Sequence, residues 1–363
     1  MEKERTRILL LCGGRSTEHE ISIVSCLSVA GAVDRTRFAP MVVGITRDGI
    51  WRYYGDGPFA EGEESARTVH LREGAPACFP VPVPNGAALR IEGQEETVPF
   101  EAAFPVLHGA FGEDGTIQGL FAMLSVPCVG CGVAASAVCM DKEATKAILE
   151  HAGFRTARAV VIRRGDVYGA EDIVNRLGLP LFVKPARTGS SVGISKVRNA
   201  DELEAAVEAA FRYDDKVLLE EGVRGREIEC GVLEYPDGRL FAARPGEVIP
   251  HAEFYSYDAK YLDENGASVV PQAALGEPQS HRVRELAVAA FRSLGCGGMA
   301  RIDFFLTPEG EWVLNEVNTI PGFTSISLYP RMMGGSGVDY AELITLLIEN
   351  AIQRQQRRCC AEF

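Results

Sequence analysis

Alternation of strand and helix patterns in the first part of the chain is the feature that most restricts the fold. The apolar strand patterns lie at residues 7–12, 39–46 and 101–109, and the helix patterns lie at 21–33 and in the stretch that ends at Met123. Such alternation is typical of a parallel sheet with helices on both faces. Between these elements, residues 55–99 are rich in Gly, Pro and Glu, which predicts a loop-dominated insertion with short strands.

The sequence pattern in the middle of the chain predicts a region of α+β structure. Residues 136–153 have the pattern of one helix, and 179–197 that of two strands joined by a Gly/Ser turn. A helix capped by Asp201 and a strand at 216–223 follow. These elements form the second of three predicted units.

The last part of the chain predicts an antiparallel sheet and two helices. Strand patterns begin at Glu227, and residues 299–307 and 311–319 predict a hairpin. Helices are expected near 280–294 and at 340–353, before a polar tail that we expect to be frayed. The chain length allows several domains with their own cores, and we place them at residues 1–130, 131–224 and 225–363.

Composition excludes several classes of function. The net charge of −13 argues against a general nucleic-acid binder, because that function needs a basic surface. No apolar run approaches the length of a membrane span, so we expect no membrane partner and a cytoplasmic location. The ten cysteines are then expected to be reduced thiols. Cys128 and Cys131 form a CxxC, but no second CxxC or nearby His pair completes a zinc site.

The predicted hairpin carries polar side chains among apolar neighbours. Alternation places Arg301 and Asp303 on one face of the first strand, and Glu316 and Asn318 on one face of the second. In the simplest register, three oxygen donors and one guanidinium converge. Asp, Glu and Asn oxygens suit Mg²⁺, which is commonly shared with phosphates. The alternative is an exposed sheet face, but the apolar neighbours and the two adjacent acids favour a metal site.

A Gly/Ser loop at residues 188–193 follows Lys184 at the end of an apolar strand. Backbone N–H groups in such a loop can surround phosphate oxygens, and a lysine adds charge. The loop matches neither a Walker A nor a full GxGxxG pattern, so the loop alone favours a plain turn over a phosphate-binding site. Lys142 allows two interpretations as well: a phosphate ligand, or the residue after an Asp141 helix cap.

Two residues near predicted strand ends could meet a substrate. Ligands favour the carboxyl ends of parallel strands. Glu18, in "GGRSTEHEIS", could hold an ammonium group there, or act as an ordinary acid in a first helical turn. His108, in "LHGAFGEDG", has a comparable position, although a lone histidine is more often structural.

Two polar segments also leave two interpretations open. Glu220, Glu221 and Glu227 surround the loop "GVRGR", which is either solvated or part of a nucleotide pocket. The segment "EFYSYDAKYL" contains Tyr255, Lys260 and Tyr261 and is either a lid or a surface strand with aromatic residues.

Taken in order along the chain, these motifs resemble the D-alanine–D-alanine ligase family of the ATP-grasp superfamily. The matching stretches are "GGRSTEHEIS", "LHGAFGEDGTIQG", "MDK", "VKPARTGSSVGISKV", "FYSYDAKY", "RIDFF" and "NEVNTIPGFTS". They cover nearly the whole chain. The resemblance extends to the relatives that make D-alanyl-D-serine or D-alanyl-D-lactate in vancomycin resistance.

The resemblance implies a three-domain ATP-grasp fold of α/β and α+β type, with an N-terminal parallel-sheet domain and two domains that hold ATP between them. It implies ATP contacts for Lys142, Lys184, Ser190, Ser191, Glu220, Glu221, Val223, Glu227 and Lys260. It implies two Mg²⁺ ions, with Mn²⁺ as an alternative, on Asp303, Glu316 and Asn318. Catalytic roles fall to Glu18, Ser190, Tyr261, Arg301 and Gly322, and substrate contacts to Glu18, His108, Tyr255, Ser327 and Leu328. A homodimer is also implied.

The second substrate is expected to be D-alanine. Leu328 resembles the D-alanine-specific enzymes, whereas the D-serine and D-lactate relatives commonly carry Arg there. Tyr329-Pro330 and "NEVNTIPGFTS" instead resemble the resistance-type relatives, and Ile326 replaces a common His. The sequence leaves two alternative functions open: another ATP-grasp carboxylate–amine ligase, and a nucleotide-binding regulator without turnover.

Overall fold

The computed structural model describes residues 5–62, 68–84, 86–251, 267–324 and 326–359, which form three main sheets and two small ones. Each main sheet lies within one of the three predicted segments, although the domain boundaries themselves stay predictions. No helix in the described ranges combines the length and apolar character needed to cross a bilayer.

The N-terminal sheet contains β1 (Thr6–Gly13), β2 (Phe38–Ile45), β3 (Trp51–Gly55) and β9 (Ala102–Pro105), in the order β3-β2-β1-β9. β1 is parallel to β2 and β9, and β3 is antiparallel to β2. Ile8 and Leu10 share a core with α1 (His19–Ala32), whereas Leu9 and Leu11 share a core with α2 (Thr116–Met123). Burial of both faces of β1 confirms the predicted parallel sheet with helices on both sides.

The insertion between β3 and β9 contains short strands, as predicted. They are β4 (Ala60–Glu61), β5 (His70–Leu71), β6 (Cys78–Val83), β7 (Gly86–Ile91) and β8 (Val98–Phe100). They pair into two small antiparallel sheets, β4-β5 and β6-β7-β8.

The central sheet is antiparallel and has the order β10-β13-β11-β12. Its strands are β10 (Ala159–Arg163), β11 (Leu181–Pro185), β12 (Ser195–Val197) and β13 (Lys216–Glu221). Helices α5 (Ala170–Leu177) and α6 (Leu203–Ala210) share its apolar core. The two predicted strands around the Gly/Ser turn are thereby confirmed.

Two local predictions for this region are wrong. The helix expected at 136–153 is two helices, α3 (Val133–Met140) and α4 (Lys142–His151), because Asp141 is extended and its side chain accepts bonds from the N–H groups of Glu143 and Ala144. Asp141 therefore caps α4 and makes Lys142 its first residue. The later cap is Asn199, which accepts from the N–H of Glu202, and Asp201 lies inside the 3₁₀ turn Ala200–Glu202.

The C-terminal sheet is antiparallel, as predicted, in the order β17-β16-β14-β18-β19, with β15 paired to β14. Its strands are β14 (Arg226–Glu234), β15 (Leu240–Ala242), β16 (Gly246–Pro250), β17 (Ala267–Val270), β18 (Met299–Leu306) and β19 (Trp312–Asn318). The helices are α7 (Glu277–Ser293), α8 (Leu328–Gly335) and α9 (Tyr340–Cys359).

The last helix is longer than predicted. Instead of ending near residue 353, α9 continues to Cys359, so most of the tail expected to be frayed is helical. The guanidinium of Arg354 donates to the carbonyls of Cys128 and Gly130, and that of Arg357 donates to the carbonyl of Pro236. These tertiary hydrogen bonds stabilise the C-terminal end of α9, whose sequence has little apolar character.

Candidate active site

A cleft of about 670 Å³ lies between the central and C-terminal sheets. It is lined by Lys142, Lys184, Ser190, Ser191, Glu220, Glu221, Val223, Glu227, Arg301, Asp303 and Glu316, among others. The structure therefore brings the predicted nucleotide residues and two of the predicted metal ligands together. Tyr255, Lys260 and Tyr261 lie outside the described residues, and so does the predicted lid.

The β18–β19 hairpin has the predicted register. Arg301 pairs with Asn318 and Asp303 pairs with Glu316, with a register shift directly after Asp303. Directly opposed residues of an antiparallel pair share a face, so all four side chains lie on one side of the sheet. The amide Nδ2 of Asn318 donates to Asp303 Oδ2 at 2.9 Å.

Arg301 is held between two carboxylates. Its guanidinium makes a two-pronged bond to Asp303, with distances of 2.8 and 2.7 Å, and its Nε lies 2.8 Å from Glu229 Oε2. Burial opposes the charge, but Asp303 and Glu229 outweigh it and hold the pKa of Arg301 well above its usual range. Arg301 is therefore a permanently charged, oriented group in the cleft.

Glu229 is absent from the predicted set of site residues. It pairs with Asp303 across β14 and β18, so Glu229, Asp303 and Glu316 form a row of acids on three adjacent strands. Strand alternation is the feature of the sequence that could have indicated Glu229, because it places Glu229 on the same face of the strand as the predicted site residue Glu227. Its importance becomes visible only when β14 is known to lie beside β18.

The oxygen donors on this face fit Mg²⁺ in chemical type. Within the described part of the chain, no three His, Cys, Asp or Glu side chains form a metal-binding cluster. Asp303 and Glu316 supply two carboxylates, and Asn318 adds an amide. Because Mg²⁺ keeps several waters and is usually bound by one or two carboxylates together with substrate phosphates, two acids and an amide are an adequate set.

The opposite wall of the cleft presents lysines. Lys184 Nζ lies 2.5 Å from Glu220 Oε2, and Lys142 Nζ donates to the carbonyl of Thr188 at 2.6 Å. Burial disfavours the ammonium form of Lys184, but Glu220 more than compensates and raises its pKa. Lys184 is therefore charged near neutral pH and suited to a polyanion.

The Gly/Ser loop joins this wall to the first-substrate region. Ser190 and Ser191 both have positive φ angles, of 50° and 59°, which is a costly conformation for residues with a side chain and is common in ligand-binding loops. The hydroxyl of Ser190 donates to the carboxylate of Glu18, which is buried. Glu18 therefore lies in direct contact with the Gly/Ser loop.

His108 connects the N-terminal and C-terminal parts of the chain. Its Nδ1 lies 3.1 Å from the carbonyl of Ile320, and its Nε2 lies 3.2 Å from the hydroxyl of Ser25. Burial lowers the pKa of His108 and favours the neutral ring. Because both ring nitrogens contact protein groups, His108 is arranged to position this region, and its contact with substrate stays a prediction.

Glu113 is a second site residue that is absent from the predicted set. Its carboxylate accepts from the N–H of Gly109 at 2.7 Å, and burial together with the nearby Glu18 raises its pKa to about 8. The backbone N–H of Ile320 also bonds to it. Glu113 thus holds the loop after β9 against the segment that follows β19.

Glu113→Gln is expected to stabilise the chain increasingly as pH rises. The folded state keeps a proton that the unfolded chain releases above pH 4.5, so wild-type stability falls between about pH 4.5 and pH 8. The neutral amide removes this loss, and partial exposure limits the gain to roughly 1–2 kcal/mol at pH 8. Urea unfolding from pH 4.5 to 8 measures it, with exposed Glu96→Gln as the control. A difference that shrinks with rising pH would contradict the expectation.

The region predicted for the second substrate lies where β19 leads into α8. Gly322 lies close to Ser327, since a Cβ on Gly322 would be 3.0 Å from Ser327 Oγ. Ser327 Oγ lies 2.7 Å from Thr324 Oγ1 and accepts from the N–H of Thr324. Leu328, the first residue of α8, is buried beside Gly246. Leu328 therefore presents an apolar surface at this point.

Comparison with known proteins agrees with this geometry. Residues 7–131 match the family described as D-ala D-ala ligase N-terminus, and residues 148–349 match D-ala D-ala ligase C-terminus. The D-alanine–D-alanine ligase A of Mesorhizobium japonicum is 46% identical, over 98% of this chain and 100% of that relative.

Two solved structures have the same fold over nearly the whole chain. The D-alanine-D-alanine ligase from Coxiella burnetii is 34% identical with a TM-score of 0.84, over 98% of this chain and 97% of that chain. The VanG D-Ala:D-Ser ligase from Enterococcus faecalis is 35% identical with a TM-score of 0.80, over 96% and 100%. These matches confirm the expected ATP-grasp architecture. The chain belongs to the D-alanine–D-alanine ligase family.

Proposed function

We propose that this chain is an ATP-dependent ligase that joins two molecules of D-alanine into D-alanyl-D-alanine for peptidoglycan synthesis. The observation that carries the proposal is the cleft with lysines on one wall, the Asp303–Glu316 face on the other, and Glu18 tied to the Gly/Ser loop. A carboxylate is a poor electrophile, so the first D-alanine must be activated, and ATP does this by forming an acyl phosphate.

The first step is transfer of the terminal phosphoryl group to the carboxylate of the first D-alanine. Lys142 and Lys184 would offset the charge of the phosphates, and Glu18 would bind the substrate ammonium. Asp303, Glu316 and Asn318 would hold Mg²⁺, which supplies further charge compensation when bound. The bond from Ser190 to Glu18 supports a coupling between phosphate binding and amino-acid binding.

The second step is attack of the second amino group on the acyl carbon. The developing oxyanion would be stabilised by Arg301, whose orientation is set by Asp303 and Glu229, and by the backbone N–H of Gly322. Water must be excluded because acyl phosphates hydrolyse, and Tyr255, Lys260 and Tyr261 are proposed for the closing lid. Phosphate then leaves and the dipeptide is released.

Other parts of the proposal rest on the family. ATP is the phosphoryl donor, with two Mg²⁺ ions bound and Mn²⁺ as a substitute. We propose a cytoplasmic homodimer without nucleic-acid or membrane partners. ATP pocket roles for Glu221, Val223 and Glu227, and a substrate contact for Ser327, belong to the same proposal and agree with their positions at the cleft or beside Gly322.

The decisive experiment incubates the chain with ATP, Mg²⁺ and D-alanine, alone or with D-serine or D-lactate, and identifies products by mass. We expect D-alanyl-D-alanine and ADP. Dominant D-alanyl-D-serine or D-alanyl-D-lactate would favour the resistance-type alternative. ADP release only with another carboxylate and amine would favour a different ligase, and ATP binding without turnover would favour a regulator.

Leu328→Arg is expected to move the preference for the second substrate toward D-serine. Leu328 is buried and apolar, and an arginine would bring donors and charge that favour a more polar partner. We expect the kcat/KM ratio of D-serine to D-alanine to rise by about tenfold. Coupled ADP-release assays measure it, with the exposed Val167→Arg as the control. An unchanged ratio would show that Leu328 does not select the second substrate.

A further inference from the structure

Lys146, which is absent from the predicted set, forms a buried charge cluster with two cleft residues. Its Nζ lies 2.9 Å from Glu220 Oε1, while Lys184 Nζ lies 2.5 Å from Glu220 Oε2. One carboxylate therefore serves two lysines, each through its own oxygen. Lys146 and Glu220 are only 7% and 4% exposed.

The three residues differ in their access to the cleft. Lys184 and Glu220 line it, whereas Lys146 approaches Glu220 from α4 and also donates to the carbonyl of Ala157 at 2.9 Å. α4 thus supplies two lysines one turn apart: Lys142 at the Gly/Ser loop and Lys146 behind Glu220. Lys146 is placed to act on a ligand only through Glu220 and Lys184.

Lys146 changes the net charge of the cluster that it forms with Glu220 and Lys184. A single Lys184–Glu220 pair would be neutral, and a buried carboxylate at 2.5 Å would compete with phosphate for the ammonium. With Lys146 present, two positive charges face one negative charge, so the cluster keeps a net positive charge toward the cleft. Burial alone would raise the pKa of Glu220, but Lys184 and Lys146 lower it to about 2, so the acid stays ionised and keeps both lysines in place.

We infer that Lys146 is a positioning residue that shares Glu220 with Lys184 and thereby keeps Lys184 available for the phosphates of the bound nucleotide. The inference deepens the proposed function at one point, nucleotide binding, and does not depend on which amino acids are joined. A purely structural alternative is that Lys146 only fastens α4 to the carbonyl of Ala157.

The test measures Mg²⁺·ADP binding to the full chain by calorimetry, without amino acids or turnover. Lys146→Met should weaken binding by about tenfold, the size of an ordinary coupling between contacting groups. It should also raise the KM for ATP while changing kcat less than about threefold, since uniform binding is lost. Arg163→Met is the matched control and should leave binding unchanged. Arg163 is exposed and pairs with Glu143, which lies on α4 as Lys146 does.

The discriminating step repeats the substitution in a Glu220→Gln background. If Lys146 acts through Glu220, its loss should then change ADP affinity by less than about twofold. An equal loss of affinity in both backgrounds, or no loss in either, would overturn the inference. If Lys146→Met does not fold, Lys146→Gln keeps a donor for Ala157 and carries the same expectation.

The outcomes separate this inference from the proposed function. Normal D-alanine ligation with no coupling between Lys146 and Glu220 would contradict the inference about Lys146 and leave the proposed function intact. ADP binding that shows the coupling between Lys146 and Glu220, without ligation of D-alanine, would contradict the proposed function and leave the inference about Lys146 intact. A wild-type chain that binds no Mg²⁺·ADP would overturn both.

Discussion

Asp303→Asn is expected to lower kcat/KM for dipeptide formation by about a thousandfold, which corresponds to roughly 4 kcal/mol of transition-state stabilisation. Asp303 lies at the centre of the acidic row, accepts from Asn318, and binds both prongs of Arg301. The amide removes a charged oxygen proposed for Mg²⁺ and one of the two carboxylates that neutralise Arg301. The first effect is expected to slow phosphoryl transfer, and the second is expected to slow the attack of the amine.

Coupled ADP release with Mg²⁺ titration measures this effect. The apparent Mg²⁺ requirement should rise together with the loss of rate, because a metal ligand has been weakened. Glu309→Gln, in the exposed turn of the same hairpin, is the control and should stay within about twofold of wild type. Thermal melts show whether the variants are folded. Folded Asp303→Asn protein within tenfold of wild-type activity would exclude Asp303 from the metal site.

Arg301→Lys is expected to lower kcat for dipeptide formation by about a hundredfold. Loss of one oxyanion donor typically removes about 3 kcal/mol of transition-state stabilisation. Lysine keeps the charge but cannot reproduce the planar fork that binds Asp303 while also contacting Glu229. Lysine is a better test than methionine, because methionine would leave two buried carboxylates without a cation and would destabilise the fold.

Trapping of the acyl phosphate separates the two chemical steps. With D-alanine, ATP and hydroxylamine, Arg301→Lys should still form hydroxamate at a rate less reduced than dipeptide formation, because Arg301 is proposed for the second step. Arg282→Lys, on the exposed surface of α7, serves as the matched control. Equal losses in both assays would place Arg301 in phosphoryl transfer instead.

The sequence-based predictions succeeded where the relevant contacts are local. Alternation puts Asp303 and Glu316 on defined faces, and a short hairpin turn then sets the pairing that the structure shows. The same holds for the strand–loop–strand around residues 188–193. The predicted helix across Asp141 was wrong because a capping side chain competes with helix continuation, and apolar periodicity does not report this competition.

Residues whose role depends on distant partners were missed. Lys146, Glu113 and Glu229 look like ordinary surface charges in the sequence. Each gains its function from a neighbour on another element: Glu220, Ile320 and Arg301 respectively. Burial then changes what these charges do, since a carboxylate or ammonium outside water must be paired or must change its pKa.

The amino-acid sequence by itself determined the general order of strands and helices, the face on which each site residue of the β18–β19 hairpin lies, and the family. Those properties depend on local periodicity and on motifs that are read without coordinates. Only the tertiary structure decided which charges share a buried partner, because the low-dielectric cleft forms when separate sheets come together. Electrostatic interactions depend on distance and burial, and neither quantity is a property of a residue's position along the chain.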